Sequence, residues 1–315
     1  MYRQALSLFA LDFLHELQDH HFIMEEIIMA RKQQRNQLHV PLEEATGRID
    51  YPLTDDMVFH MIMQKSNRAL KGLVCALKGL DPLSVKEVVL TNEVDYNTLG
   101  KEIILDVRVL MNDNEVMNLE LQVYRDEDWI KRSLLYLSRA YDTIGEGVDY
   151  SKLLPTTHIG IMGYDLFPDA PEFYARYLMT NVRTGGIYSP IFGINVLSLN
   201  QIQLATQADR ANGLDYWAKL FKTETWDELR TLAEKRDDFR EVMDIMFEVN
   251  SDSKQRAALE ARRKYREVVT TQKNKIDRLE KALGESQQAL EESQWALDVS
   301  QQRIAELEAL LAAKS

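Results

Sequence analysis

The stretch KEIILDVRVLMNDNEVMNLELQVY, residues 101–124, decides the fold of this chain. Apolar and polar residues alternate on both sides of Asn112, Asp113 and Asn114, with the period of a half-buried β-strand. Asn and Asp tolerate the left-handed backbone that a hairpin loop needs. The stretch therefore predicts two short antiparallel strands joined by a tight turn.

A loop centred on Asp113 would set the register of this hairpin. Opposed residue numbers then add up to 226, so that Asp106 faces Glu120 at a side-chain separation of about 5 Å. A two-residue loop would shift the register by one, so that Asp106 would no longer face Glu120. In the first register the polar face carries Asp106, Arg108, Asn118, Glu120 and Gln122, and the apolar face carries Ile103, Leu105, Val107, Val109, Met117, Leu119, Leu121 and Val123.

Two carboxylates side by side repel each other, which raises the pKa of one of them unless a cation lies between them. Hard divalent ions such as Mg²⁺ prefer oxygen ligands of this kind. The alternative is that these polar residues form the solvated face of an amphipathic hairpin. Spacing alone leaves both interpretations open.

The composition limits the class of protein. The chain has 315 residues, enough for two domains or for one domain with extensions, and 45% of them are hydrophobic. Its net charge of −12 is unfavourable for non-specific binding to a polyanion. The single cysteine, Cys75, lies in an apolar run, which predicts a buried small side chain and fits a reducing cytoplasm.

We expect no membrane segment, because no apolar run approaches the roughly 20 residues of a membrane span. The N-terminal stretch MYRQALSLFALDFLHEL is interrupted by Asp12 and is followed by no small-residue cleavage site, so we do not expect a signal peptide.

Three regions are predicted along the chain: a helical extension at 1–48, a central domain at 49–250 and a C-terminal helix at 251–315. In the central domain, Thr54 is the predicted N-cap of a helix that continues to about Lys78 and ends at Gly79. Asp56 suits the first turn of that helix, where exposed N–H groups favour negative charge. Further strands are predicted at 85–90, 157–163, 173–179 and 194–199, and helices at 126–141 and within 217–250.

Arg132 and Arg139 fall on one face of the helix predicted at 126–141. They form either a solvated stripe or contacts to phosphate, whose oxygens suit a planar guanidinium. His158 is interpreted as a packed core residue rather than a ligand.

The C-terminal region is basic and then heptad-patterned. Between Lys254 and Lys281 there are ten basic and four acidic residues, the latter including Glu260 and Glu267. Apolar residues then recur every seven positions opposite a serine-rich column, which predicts a marginal coiled coil and dimerisation, or else a solvated tail. The apolar column is Ile276, Leu283, Leu290, Leu297, Ile304 and Leu311.

The order of elements resembles the PD-(D/E)XK nuclease superfamily, and in more detail the Rpn family of recombination-promoting nucleases and transposases. The matching stretches are LTDDMVFHMI at 53–62, ILDVRV at 104–109, NLELQV at 118–123, RSLLYLSR and GVDYSKLLPTTHIGIM within 132–162, and more weakly LDYWAKLF at 214–221. The resemblance covers roughly residues 50–275.

The resemblance implies a restriction-endonuclease-like α/β fold, with a mixed central sheet flanked by helices. It implies Asp106 and Glu120 as ligands of Mg²⁺, with the carbonyl of Leu121 as a third ligand. Gln122 stands where many superfamily members carry lysine, although glutamine is usual within this family. Asp56 matches the family's acidic position in the first helix. His60 replaces a lysine that the family often carries, and an unperturbed histidine is mostly neutral at pH 7.

The expected function is therefore Mg²⁺-dependent DNA cleavage linked to recombination or transposition. Arg132, Arg139 and the basic cluster Arg262, Arg263, Lys264 and Arg266 are the expected DNA contacts. The alternative is an interaction protein with a degenerate nuclease-like domain, which forms a homo-oligomer through residues 251–315.

Overall fold

The structure is a computed structural model that describes residues 42–92, 106–142 and 147–312, and these residues form a six-stranded mixed sheet. The strands are β1 (Val88–Leu90), β2 (Val107–Met111), β3 (Glu115–Gln122), β4 (Thr156–Met162), β5 (Tyr174–Thr180) and β6 (Ile187–Ser198). Their order is β1-β2-β3-β4-β6-β5. The three central strands β3, β4 and β6 run parallel, and the pairs at both edges are antiparallel.

Helices occur before, between and after the strands. They are α1 (Asp56–Lys65), α2 (Asn67–Lys78), α3 (Trp129–Tyr141), α4 (Gln207–Ala211), α5 (Leu214–Phe221), α6 (Trp226–Ala233), α7 (Asp237–Ser251) and α8 (Ser253–Ala312). Short 3-10 turns lie at Leu42–Glu44, Tyr150–Lys152 and Leu199–Leu204. None of the helices within the described ranges is long and apolar enough to cross a membrane.

The two faces of the sheet pack differently. The apolar residues of the β2–β3 hairpin, such as Val107 and Leu119, are fully buried in the main core together with α1 and α2. On the opposite face, Trp129 of α3 packs with Met162 and Val196 in a second, smaller core. With helices on both faces of a mixed sheet, the fold is restriction-endonuclease-like, as the sequence predicted.

The predicted hairpin register is confirmed. Val107 pairs with Leu119 and Arg108 with Asn118, so opposed residue numbers add up to 226. Asn112 and Asp113 both adopt a left-handed backbone, with φ of 51° and 55°. This register places Asp106, which directly precedes β2, opposite Glu120.

The predicted helix after Thr54 differs from the structure in two respects. Its N-cap is Asp55, not Thr54, because the Asp55 carboxylate accepts hydrogen bonds from the N–H groups of Met57 and Val58. The helix is also not continuous. Ser66 has extended φ and ψ angles, and its hydroxyl caps α2 by accepting from Ala69 N–H at 3.0 Å.

The other element predictions are largely confirmed, with shifted ends. The first strand is confined to Val88–Leu90, α3 begins at Trp129, and β6 begins already at Ile187. Of the helical extension predicted at 1–48, residues 1–41 lie outside the described residues. The remainder contains one 3-10 turn and then joins the core, where Ile49 is buried and its N–H donates to the Glu224 carbonyl.

The chain divides into two compact units, with the boundary between Leu259 and Glu260. The long C-terminal helix is confirmed as α8, which extends across this boundary. Its heptad column is exposed, since Ile276, Leu283, Leu290, Leu297 and Ile304 each keep 53–59% of their surface accessible. An exposed apolar column of this kind can associate with a second copy, and self-association stays a prediction. The division of the chain into three regions also stays a prediction.

We predict that deleting residues 282–315 lowers the mass of the particle in solution, because the deletion removes most of the exposed apolar column. Light scattering measures the mass. The melting temperature of the core should change little, since the core lies in the first unit. As a control, the full-length chain with Leu283, Leu290 and Leu297 changed to Gln should behave like the truncated chain. An unchanged mass in both variants would show that the column does not associate.

Candidate active site

Glu120 lies at the centre of the polar cluster on the sheet face that α3 covers. It belongs to β3, pairs in register with Gly160 of β4, and is only 5% exposed. A Cβ atom at Gly160 would lie 2.3 Å from the indole of Trp129, so only glycine leaves room for this ring. The absence of a side chain at Gly160 thus allows Trp129 to approach Glu120.

The buried carboxylate of Glu120 is surrounded by donors. The indole Nε1 of Trp129 donates to Oε2 at 3.2 Å, and Nη2 of Arg132 donates to Oε1. His158 Nε2 also lies 3.2 Å from Oε2, in a contact too poorly directed for a regular hydrogen bond. A buried charge is tolerated only when it is paired and hydrogen-bonded, and both conditions are met here.

Asn118 connects the two carboxylates of the cluster. Its Nδ2 donates to Asp106 Oδ2 at 3.3 Å and lies 3.1 Å from Nδ1 of His158. Because a carboxylate only accepts, the amide nitrogen must face Asp106, and this fixes the amide orientation. The other ring nitrogen of His158, Nε2, faces Glu120. The side chains of Asn118 and His158 therefore lie between Asp106 and Glu120.

The pKa of Asp106 is raised from 3.8 to about 6. Burial is the largest cause, because it disfavours the charged form, and the charge of Glu120 adds to it. The hydrogen bond from Asn118 opposes the rise, as do the weaker charges of His158 and Arg132. Asp106 is therefore easier to protonate than an exposed aspartate, mainly because it is buried.

Arg132 joins three acceptors on the same side of the sheet. Besides Glu120, its Nη2 contacts Gln122 Oε1 at 2.6 Å, and its Nη1 contacts Asp126 Oδ2 at 2.5 Å. Gln122 in turn donates from Nε2 to the carbonyl of Tyr124 at 2.7 Å, so both ends of its amide have partners. The solvated-stripe interpretation is therefore wrong for Arg132, whose side chain is 29% exposed, whereas Arg139 is exposed.

The interpretation of the hairpin's polar face as solvated is also wrong for its β3 half. Asn118 is 3% exposed and Glu120 is 5% exposed, because α3 packs over them. Only Arg108 on β2 is exposed.

His60 is fully buried on α1. Burial lowers its pKa to about 4, against the opposing effects of a hydrogen bond with the Asn92 backbone and the charge of Asp56. His60 is therefore neutral at pH 7 and cannot act as the cation that lysine would be at this position. Asp56 begins α1 and accepts from Met57 N–H at 2.9 Å. Asn92 also fixes the start of β2, since its side chain donates to the Asp106 carbonyl and accepts from Arg108 N–H.

The donor set suits a divalent cation in part. Among the residues that the structure describes, no group of three or more His, Cys, Asp and Glu side chains is arranged to hold a metal. A third oxygen would have to come from the backbone. The Gln122 carbonyl accepts from Gly163 N–H on the β4 side, and carbonyls alternate in direction along a strand, so the Leu121 carbonyl points away from β4. Carboxylate and carbonyl oxygens are the donors that Mg²⁺ prefers.

Sequence reasoning missed several contributors to this site. The sequence places Trp129 and Asp126 only within the helix predicted at 126–141 and assigns no role to Asn92. His158 is a packed residue, as predicted, but its ring also contacts the central carboxylate. Two local features of the sequence could have indicated these contacts. Trp129 follows the candidate ligand Glu120 by nine residues, and Asp126 precedes Arg132 by six.

The predicted basic cluster lies on α8. Arg263 pairs with Glu260, and Lys264 Nζ lies 3.8 Å from the same carboxylate. The structure thus contains the pairing with neighbours that the solvating interpretation predicts for these two residues.

Comparison with known proteins identifies the family. The family described as PD-(D/E)XK nuclease family transposase matches residues 53–277, which is more than half of the chain. The chain belongs to this family. No curated protein and no solved structure gives a significant match.

We predict that Asp106→Asn becomes more stable relative to the wild type as the pH rises from 4 to 7 without divalent ions. A carboxyl group whose pKa is raised on folding stabilises the fold below its unfolded pKa of 3.8, and this contribution is lost as the pH rises through the folded pKa of about 6. A rise of about two pKa units corresponds to about 3 kcal/mol. Urea unfolding in EDTA at both pH values measures the change.

The matched control for this measurement is Asp113→Asn, the same substitution at the exposed turn of the same hairpin. A stability difference between Asp106→Asn and the wild type that does not vary with pH would contradict the raised pKa.

Proposed function

We propose that the protein is a Mg²⁺-dependent DNA endonuclease that hydrolyses phosphodiester bonds during recombination or transposition. The observation that carries this proposal is the opposition of Asp106 and Glu120 across the β2–β3 hairpin, in a site where burial and, to a smaller extent, the charge of Glu120 raise the pKa of Asp106. Two crowded carboxylates are costly to the fold unless they serve to hold a cation. Membership of a nuclease and transposase family supports the same reaction.

The residues have separate tasks in this proposal. Asp106, Glu120 and the Leu121 carbonyl hold Mg²⁺, which when bound neutralises charge on the phosphate and lowers the pKa of water. Gln122 cannot take up a proton at neutral pH, so its amide orients the attacking water or a phosphate oxygen. Asp56 contributes its charge at the start of α1. Trp129, Asn118 and His158 hold the two carboxylates in position.

A second candidate is an interaction protein whose nuclease-like domain no longer cleaves. Two observations favour it: Arg132 already neutralises Glu120, and His60 is buried and neutral. In that case the exposed column of α8 would bind a second copy of the chain. The two candidates differ in one measurement, the nicking of plasmid DNA.

DNA binding by an acidic protein requires a local concentration of positive charge. The basic half of α8 supplies it with Arg262, Arg263, Lys264 and Arg266, and Arg132 and Arg139 of α3 are further candidates for phosphate contact. Guanidinium groups suit phosphate oxygens in geometry and charge.

We predict that Glu120→Gln reduces nicking of supercoiled plasmid to background, a loss of roughly a hundredfold or more, the scale of losing one preorganised electrostatic group. The substitution keeps the shape of the side chain, removes the charge that holds Mg²⁺ and replaces one of the two acceptor oxygens with an amide donor. The fold should persist, because Arg132 keeps its bond to Asp126. Gel assays with Mg²⁺ and with EDTA, together with circular dichroism, test both statements.

In the same assay Asp106→Asn should lose activity, and Asp113→Asn should retain it. Full nicking by Glu120→Gln at the same Mg²⁺ concentration would show that Glu120 is not a ligand. A wild type that does not nick DNA with Mg²⁺ would favour the interaction protein.

We predict further that changing Arg262, Arg263, Lys264 and Arg266 to Glu weakens DNA binding and flattens its salt dependence by several units. Each phosphate contact contributes a slope of roughly 0.9 in log affinity against log salt on duplex DNA. Titration of labelled DNA at several salt concentrations measures the slope, and Mg²⁺ binding should be unchanged.

The control is a second fourfold reversal with the same change in net charge at Lys86, Lys152, Lys222 and Lys235, all of which are exposed. Equal slopes for the wild type and the α8 variant would reject a DNA contact by α8.

A further inference from the structure

Arg132 forms an ion pair with Glu120, the carboxylate that would bind the metal in the proposed function. Its Nη2 contacts Oε1 of Glu120 and Oε1 of Gln122, while Trp129 occupies the other oxygen of Glu120. The guanidinium is thus the counter-ion of Glu120 in this structure. An arginine cannot release its charge by losing a proton, so it can make way for another cation only by moving.

A second anchor allows such a movement. Nη1 of Arg132 contacts Asp126, and the other oxygen of Asp126 accepts from Asp128 N–H at 3.0 Å, which fixes this carboxylate to the backbone just before α3. An Arg132 that gave up Glu120 would still be paired with Asp126. The side chain is also 29% exposed, whereas that of Glu120 is 7% exposed, so the guanidinium has space on its solvent side.

The net charge of the cluster is negative enough to attract a further cation. Asp106, Glu120 and Asp126 carry three negative charges when ionised, and Arg132 carries one positive charge, which leaves two negative charges on these four side chains. One divalent ion would neutralise them. Arg132 and a divalent ion on the same carboxylate oxygen would, however, repel each other strongly in a partly buried site.

We propose that Arg132 is a resident counter-ion that holds Glu120 and Gln122 in place before a metal binds, and that it gives up Glu120, but not Asp126, when a divalent cation binds. This inference rests on the proposed function, since it concerns the same site. In this role Arg132 positions Glu120 and Gln122 before the metal binds, and it competes with the metal for Glu120. Once released from Glu120, its Nη2 can donate to a phosphate, as expected of this arginine from the sequence.

The test is the affinity for Mg²⁺ alone, measured by titration calorimetry on the full chain without DNA. Arg132→Met keeps the apolar stem and removes the guanidinium, so it should bind Mg²⁺ about tenfold more tightly than the wild type. It should also melt at a lower temperature without Mg²⁺ and recover on adding the ion. Lys131→Met is the matched control: it removes a cation from the adjacent residue of α3, whose side chain is 85% exposed, and should leave the affinity unchanged.

A purely structural Arg132 would give the opposite result, because its loss would loosen the site and weaken Mg²⁺ binding. Unchanged or weaker Mg²⁺ binding by Arg132→Met would overturn the counter-ion role. If Mg²⁺ binding by the wild type still depends on Glu120, the proposed nuclease function would stand. Absence of Mg²⁺ binding in every variant overturns both.

A second measurement needs no change at Arg132 itself. The guanidinium ¹⁵N resonances of Arg132 in the wild type should shift as Mg²⁺ is added and should not shift in Glu120→Gln. Resonances that stay fixed while Mg²⁺ binds would overturn the proposal.

Discussion

The ion pair between Glu120 and Arg132 is the interaction on which one whole face of the sheet depends. Glu120 is almost fully buried, and an uncompensated charge at such a depth would cost several kcal/mol. Its neutralisation requires α3, because both the guanidinium of Arg132 and the indole N–H of Trp129 come from that helix. The helix can lie close enough only because Gly160 has no side chain. Charge pairing and steric fit thus specify the same docking position for α3.

The hairpin and its register could be predicted from the sequence because their determinants are local. Alternation over residues 101–124 assigns each side chain to a face, and Asn112 and Asp113 supply the left-handed turn. A shift of one residue would bury the polar face in the main core, so the hydrophobic pattern itself selects the observed pairing. The opposition of Asp106 and Glu120 follows from this local information.

The surroundings of the two carboxylates could not be predicted in the same way. His158 meets Asn118 across 40 residues of sequence, and this contact exists only because β4 lies parallel to β3. The break at Ser66 was missed for a different reason. Its flanks have the same helical periodicity, and only the cap that its hydroxyl provides shows that two helices are present. Contacts made by tertiary structure leave no periodic signal in the sequence.

The position of Trp129 allows the site to be followed by intrinsic tryptophan fluorescence. The chain contains four tryptophans, and the emission of an indole depends on the charges near its ring. Trp129 is the one that donates to Glu120, so its quantum yield depends on what neutralises that carboxylate. A chain in which Trp217, Trp226 and Trp295 are replaced by Phe would keep Trp129 as its single tryptophan, in contact with Glu120. The occupancy of the carboxylates could then be followed in real time without an attached label.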